Sequence, residues 1–203
     1  TTRRQRQMCI RDRSNYGKII NFLSRIKMKT ICIFAGAANG LSPQFSKEAF
    51  RLGQMIGARG YKIVYGGGRT GLMGAFADGA ISSGGLITGI MPQFLESQEI
   101  GHKEITELII TKSMHERKSL MYKNTTDFVL LPGGLGSLDE TMEVLTWCQL
   151  KILNAKFHVF DLDEFWQPMK LLLTHIAESG FMHNTNLEFV SWSKTADELV
   201  DNL

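Results

Sequence analysis

The residues of this chain best equipped for chemistry lie between Asp127 and Glu143, in DFVLLPGGLGSLDETME. An apolar run, Phe128–Leu131, meets Pro132 and then Gly133, Gly134, Leu135 and Gly136; Ser137, Leu138 and the acidic pair Asp139 and Glu140 follow. That order predicts a buried strand, a tight glycine turn and a helix from Ser137 with carboxylates in its first turn. Glycines let the backbone approach a ligand closely, and free N–H groups at a helix N-terminus attract an anion. A phosphate held by the turn would leave Glu140 close to whatever it carries. A carboxylate so placed suits glycoside-type hydrolysis, where it activates water and stabilises an oxocarbenium-like centre. Thr146, on the turn after Glu143, is placed to reach the same cleft. The plainer alternative is that Asp139 and Glu140 only complement the helix dipole.

Two other segments join this one. Tyr65–Gly74 reads YGGGRTGLMG, and Gly66, Gly68 and Gly71 satisfy G-x-G-x-x-G between a strand and a helix. A dinucleotide site also needs an acid at the end of the next strand, where Ile90 and Met91 stand, so NAD or FAD is not expected. No Gly-Lys-Ser/Thr follows, so the turn is not a Walker A loop. Packing of helix on strand would explain these glycines alone; a second glycine turn favours a shared ligand, with Gly67 and Gly68 closing on it. Two turns over a single-domain cleft suit one monophosphate. Met114–Lys118 (MHERK) opens a helix on the same edge. Arg117 offers a planar fork for a phosphate or carboxylate, with the point charge of Lys118 beside it. In isolation such a pair reads as a solvated helix face, and His115 as a surface hydrogen-bonding residue. No lysine stands in a phosphate cup, so pyridoxal chemistry has no evident site. Met73, Met121, Met142 and Met169 read as packing residues, and Trp147, Phe165 and Trp166 as core or subunit interface.

Positioning these groups requires strands that deliver several turns to one edge. Strands are predicted at Thr30–Ala35, Tyr61–Tyr65, Leu86–Ile90, Glu107–Thr111, Phe128–Leu131, Phe157–Phe160 and Leu187–Trp192. Helices are predicted between them, over 43–59, 71–83, 114–123, 137–150 and 165–180, with a last one over 195–203. Pro92–Lys103 reads as a longer irregular segment near the same edge, with Glu96 and Glu99 as candidates to reach a bound ligand. Alternating strands and helices imply an α/β fold, a single-domain Rossmann-like doubly wound parallel sheet. Ligands of such sheets lie at the carboxyl ends of the strands, where both glycine turns fall.

Composition sets the outer bounds. The chain has 203 residues, 43% of them hydrophobic, enough for one sizeable core. No stretch approaches the roughly 20 apolar residues of a membrane span. Cys9, Cys32 and Cys148 are widely separated and odd in number, which argues against a disulfide framework and for a cytoplasmic setting. The net charge of +3 is concentrated at one end: residues 1–27 hold eight basic residues against one acid, Asp12, and the remainder is net acidic. This leader has neither the apolar stretch of a secretory signal nor the serines of a transit peptide. Met28-Lys29-Thr30 reads as a natural start, so residues 1–27 are expected to be upstream translation and 28–203 the catalytic domain. The acidic body gives no support for nucleic-acid binding.

Together, GGGRTGLMG, MHERK and PGGLGSLDE, in this order, resemble the LONELY GUY (LOG) family, cytokinin-activating nucleoside 5′-monophosphate phosphoribohydrolases often labelled "lysine decarboxylase". The resemblance spans about Lys29 to Leu203. It implies hydrolysis of an N-glycosidic bond to free base and ribose 5-phosphate, with Arg117 and Glu140 as the catalytic pair. It further implies nucleotide contacts from Gly67, Gly68, Met114, Lys118, Gly133, Gly134, Leu135, Gly136, Ser137, Leu138, Asp139 and Thr146. No metal or organic cofactor is expected, and the resemblance implies a homodimer. Two departures stand out: Ser137 replaces the family's usual Thr, and Ala37-Ala38 replaces its usual Ser-Ser. The expected substrate is a purine riboside 5′-monophosphate, either N6-prenylated or plain AMP. The alternatives are a broad nucleotide nucleosidase of salvage, a carrier resembling molybdenum-cofactor carriers, and an interaction protein recruited through the basic leader.

Overall fold

The computed structural model describes residues 29–96, 101–182 and 187–203; the leader and Glu99 lie outside them. Strand alternation organises the molecule. In β1 (Thr30–Phe34), Ile31 and Ile33 point into one apolar layer and Cys32 and Phe34 into the other. A strand buried on both faces reads as a continuous apolar run, as this one does.

The elements follow in the order β1, α1 (Pro43–Ala58), β2 (Lys62–Tyr65), α2 (Gly71–Ser82), β3 (Leu86–Pro92) and a short α3 (Gln93–Glu96). Then come β4 (Glu107–Thr111), α4 (Met114–Tyr122), β5 (Asp127–Leu130), α5 (Leu135–Gln149), β6 (Lys156–Phe160), a 3₁₀ turn (Leu162–Glu164), α6 (Gln167–Glu178), β7 (Val190–Ser193) and α7 (Ala196–Asn202). The strands form one seven-stranded sheet, ordered β4-β3-β2-β1-β5-β6-β7, and every neighbouring pair is parallel. This is the doubly wound α/β architecture expected. Helices α1, α2 and α7 cover one face, and α4, α5 and α6 the other. Met73, Met121 and Met169 are buried in these layers. No helix of the described residues is long and apolar enough to cross a membrane.

The sheet changes winding direction between β1 and β5. The chain leaves β1 toward β2 on one side and leaves β5 toward β6 on the other, which opens a crevice at their carboxyl ends. The two loops are stitched by Gly36 N–H donating to the Pro132 carbonyl at 3.0 Å.

Several boundaries differ from the sequence reading. Helix α5 starts at Leu135 rather than Ser137, because Gly134 takes an extended N-cap conformation (φ −103°, ψ −153°) and the first turn winds directly from the glycines. The helix expected over 165–180 begins at Gln167, with Pro168 in its first turn, after a separate 3₁₀ turn. The last strand is displaced to Val190–Ser193, and the irregular segment after Pro92 contains α3.

Candidate active site

Glu140 is placed by the glycine turn. With Gly134 as N-cap and no side-chain cap, the N–H groups of Leu135, Gly136 and Ser137 form the first turn of α5. Ser137 and Glu140, three residues apart on one helix face, are both buried at that end of the helix. Thr141 donates its hydroxyl to the Ser137 carbonyl at 2.7 Å, which braces this turn from behind. Gly133 has to be glycine: a Cβ there would lie 2.2 Å from the Ser137 hydroxyl oxygen.

Arg117 arrives from the opposite wall. Ser113 caps α4 by accepting from the Glu116 N–H at 3.1 Å. The Arg117 side chain is nine-tenths buried, and three separate elements fix its guanidinium. Nε donates to the Ile90 carbonyl at the end of β3, 3.0 Å away. Nη1 lies 3.1 Å from Glu140 Oε1. Nη2 abuts Gly66, where an added Cβ would sit 2.5 Å from it. A planar group with donors on three sides fits this socket, whereas a lysine ammonium could not satisfy the same directions. Beneath the pair, Cys32 is fully buried; burial first, and then the Glu140 charge, push its thiol well above the ordinary value, so it remains protonated.

Arg117 and Glu140 face a cavity of about 280 Å³. Ser137, Gly134 and Gly136, from the start of α5, form one end of it, and Met114, Leu95 and Met73 supply apolar walls. Gly36, Ala37 and Gly66 complete it from the β1 and β2 turns. A larger hollow, about 830 Å³, lies at the amino-terminal edge of the sheet around Lys29, Asp127 and His158. Its buried polar groups are engaged with one another: His158 lies 3.0 Å from Asp127 and 2.8 Å from Ser191. The smaller cavity is the one built for chemistry, since it alone holds the buried Arg–Glu pair.

The expected site residues divide accordingly. Arg117, Glu140, Met114, Gly134, Gly136 and Ser137 meet at the cavity. Gly133 supports it from a neighbouring hollow shared with Ala38, Phe45 and Phe165. Leu135, Leu138 and Asp139 line the adjoining groove between α5 and α6. Gly67 and Gly68 lie just behind Gly66. Lys118 stands outside, 2.7 Å from Asp139 and 3.2 Å from Glu143, and Tyr122 donates to Glu143 at 2.8 Å, so the four residues tie α4 to α5. Thr146 is exposed and donates back to the Met142 carbonyl at 2.7 Å. The sequence reading did not single out Gly66 as a wall, Leu95, or the Ile90 carbonyl that orients Arg117. Among the described residues, no three His, Cys, Asp or Glu side chains converge as a metal site would require.

The fold and this arrangement define an α/β protein with a glycine turn at a helix N-terminus facing an arginine–glutamate pair at the sheet's switch point. Residues 73–203 match the family model described as "Possible lysine decarboxylase". A cytokinin riboside 5′-monophosphate phosphoribohydrolase of Arabidopsis thaliana is 33% identical over 181 residues, 89% of this chain and 84% of that protein. Another, from Rhodococcoides fascians, is 36% identical over 155 residues, 76% of this chain and 78% of that protein. The chain belongs to this LOG family, the one its motifs resemble. Among solved structures, the molybdenum cofactor carrier protein of Chlamydomonas reinhardtii superposes with a TM-score of 0.66 at 15% identity, over 87% of this chain and 96% of that one. The molybdenum cofactor binding protein of Rippkaea orientalis gives 0.63 at 20% identity, over the same shares. At those identities the likeness is one of fold.

Proposed function

We propose that this protein hydrolyses the N-glycosidic bond of a purine nucleoside 5′-monophosphate, releasing the free base and ribose 5-phosphate. The observation that carries the reading is the buried Arg117–Glu140 pair facing the uncapped first turn of α5. The N–H groups of that turn, with the Ser137 hydroxyl, would take the phosphate. The ribose would then lie over Glu140, and the base against Leu95 and Met114. Glu140 orients the ribose, draws a proton from the attacking water and stabilises positive charge at the anomeric carbon. Arg117 holds the ribose-phosphate and favours the ionised form of Glu140. The C–N bond breaks as the water oxygen bonds to that carbon; the base leaves with the bond's electron pair and takes up, at the departing nitrogen, the proton that Glu140 drew from the water, which returns the carboxylate to its starting form. All of these steps use the chain's own side chains and backbone.

The names of the relatives support a cytokinin nucleotide as substrate. An apolar base wall of Leu95 and Met114 is compatible with an N6-prenylated adenine, because it offers no side-chain hydrogen bond that the substituent would displace. The reading includes a homodimer, supported by the exposed apolar groups of the α5–α6 groove, where Leu135 is 85% and Leu172 51% exposed. The second reading is a carrier, favoured by the fold likeness alone; a carrier has no use for a water-activating carboxylate beside an arginine.

The test is incubation with AMP, GMP, CMP and N6-isopentenyl-AMP, with chromatography of base and ribose 5-phosphate. Preference for the prenylated nucleotide, abolished in Glu140→Gln, is expected. Equal cleavage of AMP would assign the protein to salvage, and tight binding of a nucleotide without any turnover would make it a carrier.

A further inference from the structure

Gly66, Gly67 and Gly68 form a turn with no side chain to anchor it, yet Gly66 must hold its place against Arg117. Three successive glycines have more backbone freedom than any other tripeptide. Gly67 adopts φ +84°, and a Cβ there would meet Leu108 at 3.0 Å, so the turn is pressed close over the sheet with no room for a residue that could pin itself. Its restraint comes from outside. Gly68 pairs with Gly101 in an isolated antiparallel bridge. The adjacent His102 N–H donates to the Gly67 carbonyl at 3.0 Å. The strap at Gly101 and His102 therefore lies across the turn.

The strap is secured in its turn by the His102 side chain, which is only 6% exposed. Nδ1 accepts from the Glu104 N–H at 3.3 Å, which places the ring proton on Nε2. Nε2–H then donates to Asp78 Oδ1 at 2.9 Å. Asp78 belongs to α2, the helix that emerges from the same glycine turn. Turn, strap and helix thus close a triangle whose one side-chain link is His102–Asp78. The carboxylate is half open to solvent, but the histidine is not, and a charge-assisted bond to a buried donor is a firm restraint. Tyr65 on β2 also lies within electrostatic reach of Asp78. Burial, and then the Asp78 charge, push its phenol upward, so it adds no charge of its own.

We propose that His102 and Asp78 are positioning residues for the nucleotide site: their hydrogen bond clamps the Gly101–His102 strap, and through it the Gly66–Gly68 turn that braces Arg117. The inference rests on the phosphoribohydrolase reading for its kinetic consequences. Neither residue touches the cavity, and neither belongs to the motifs that carry the family resemblance.

The experiment compares His102→Ala, Asp78→Leu, Asp78→Asn and the His102→Ala/Asp78→Leu double variant. His102→Ala and Asp78→Leu should each raise the KM for the cleaved nucleotide roughly tenfold or more, since misplacement by an ångström is costly, while kcat changes far less because Glu140 is held by α5. Asp78→Asn keeps the acceptor oxygen but not its charge, so its KM should fall between those of the wild type and Asp78→Leu. The double variant should lose no more than either single change, because both remove one contact. His102→Gln, which retains an N–H donor, should recover much of the wild-type KM, and Asp78→Leu carries the test if His102→Ala fails to fold. In the substrate-free protein, amide hydrogen exchange at Gly67, Gly68 and Arg69 should be faster in His102→Ala and Asp78→Leu than in the wild type, with Asp78→Asn in between. Unaltered exchange, an unmoved KM or fully additive losses would overturn the clasp. The exchange measurement needs no substrate, so absence of base release by the wild type would defeat the phosphoribohydrolase reading and still leave the clasp decided.

Discussion

A methyl group on Gly66 would lie 2.5 Å from Nη2 of Arg117 and 3.1 Å from the sulfur of Met73. The glycine of the β2 turn and the arginine of α4 are therefore complementary surfaces, and the arginine's rotamer is set partly by a missing side chain. Because the Ile90 carbonyl and Glu140 hold the guanidinium from the other sides, it cannot swing away without breaking one of those contacts. Gly66→Ala should leave the fold intact while lowering kcat/KM roughly a hundredfold. A steady-state assay alongside a thermal melt checks this; near-normal kcat/KM would mean that the guanidinium has freedom which its three contacts deny.

The pair itself should separate binding from chemistry. Glu140→Gln keeps the volume and removes the base, so base release should fall by at least about a hundredfold with nucleotide binding retained. Arg117→Lys preserves charge but cannot reach the Ile90 carbonyl, Glu140 and the Gly66 turn together. Its expected signature is a raised KM and lowered kcat with little change in melting temperature. Calorimetric titration beside turnover assays would distinguish the two variants, and equal loss of binding in both would remove the division of labour.

The glycine-rich turn before α5 was legible because its chemistry is local: strand, Pro132, glycines and a first-turn acid fall within one short stretch. Most of the sheet was legible for the same reason, since strands such as β1 and β5 are compact apolar runs; β7 (VSWS) has no such run, and its bounds were misplaced. Helix starts were less so. Gly134 looked like part of a turn, although it caps α5, and Pro168 carried a first-turn signal that the apolar run from Phe165 masked. What joins the site across the sheet left no local trace. The Ile90 carbonyl is a backbone atom available to any residue type, and the Asp78–His102 bond joins two residues whose spacing obeys no helical or strand period. The family resemblance implies nucleotide contacts from Lys118 and Thr146; in the structure the lysine meets Asp139 and Glu143, and the Thr146 hydroxyl donates to the Met142 carbonyl.

Lys118 thus becomes a discriminating position. It bridges Asp139 and Glu143, while Tyr122 holds Glu143 from the aromatic side. Partly exposed pairs of this kind contribute at most about 1 kcal/mol. Lys118→Met should cost about that much stability, more at low salt than at high, and should shift the nucleotide KM by less than about fivefold. Chemical denaturation and kinetics at two ionic strengths provide the check. A large KM increase with unchanged stability would show instead that Lys118 engages the nucleotide.

At the opposite edge of the sheet, Asp127 sets an acid limit on stability. Lys29 Nζ and His158 Nε2 each lie 3.0 Å from its Oδ1. Burial alone would raise this carboxyl, but hydrogen bonds from His158, Lys29 and Thr126 outweigh it and hold the group below its ordinary value. A carboxyl depressed in the folded state stabilises fully above its unfolded value, about 3.9, and loses that contribution as pH falls through the lower native value. Urea midpoints of the wild type should therefore decline as pH drops below about 4. Asp127→Asn should start lower at neutral pH, since Lys29 loses its counter-charge, and should show a shallower decline through the same window. If the two curves ran parallel, the acid sensitivity would belong to other carboxylates, and the Lys29–Asp127–His158 network would be only a packing feature of the sheet's amino-terminal edge.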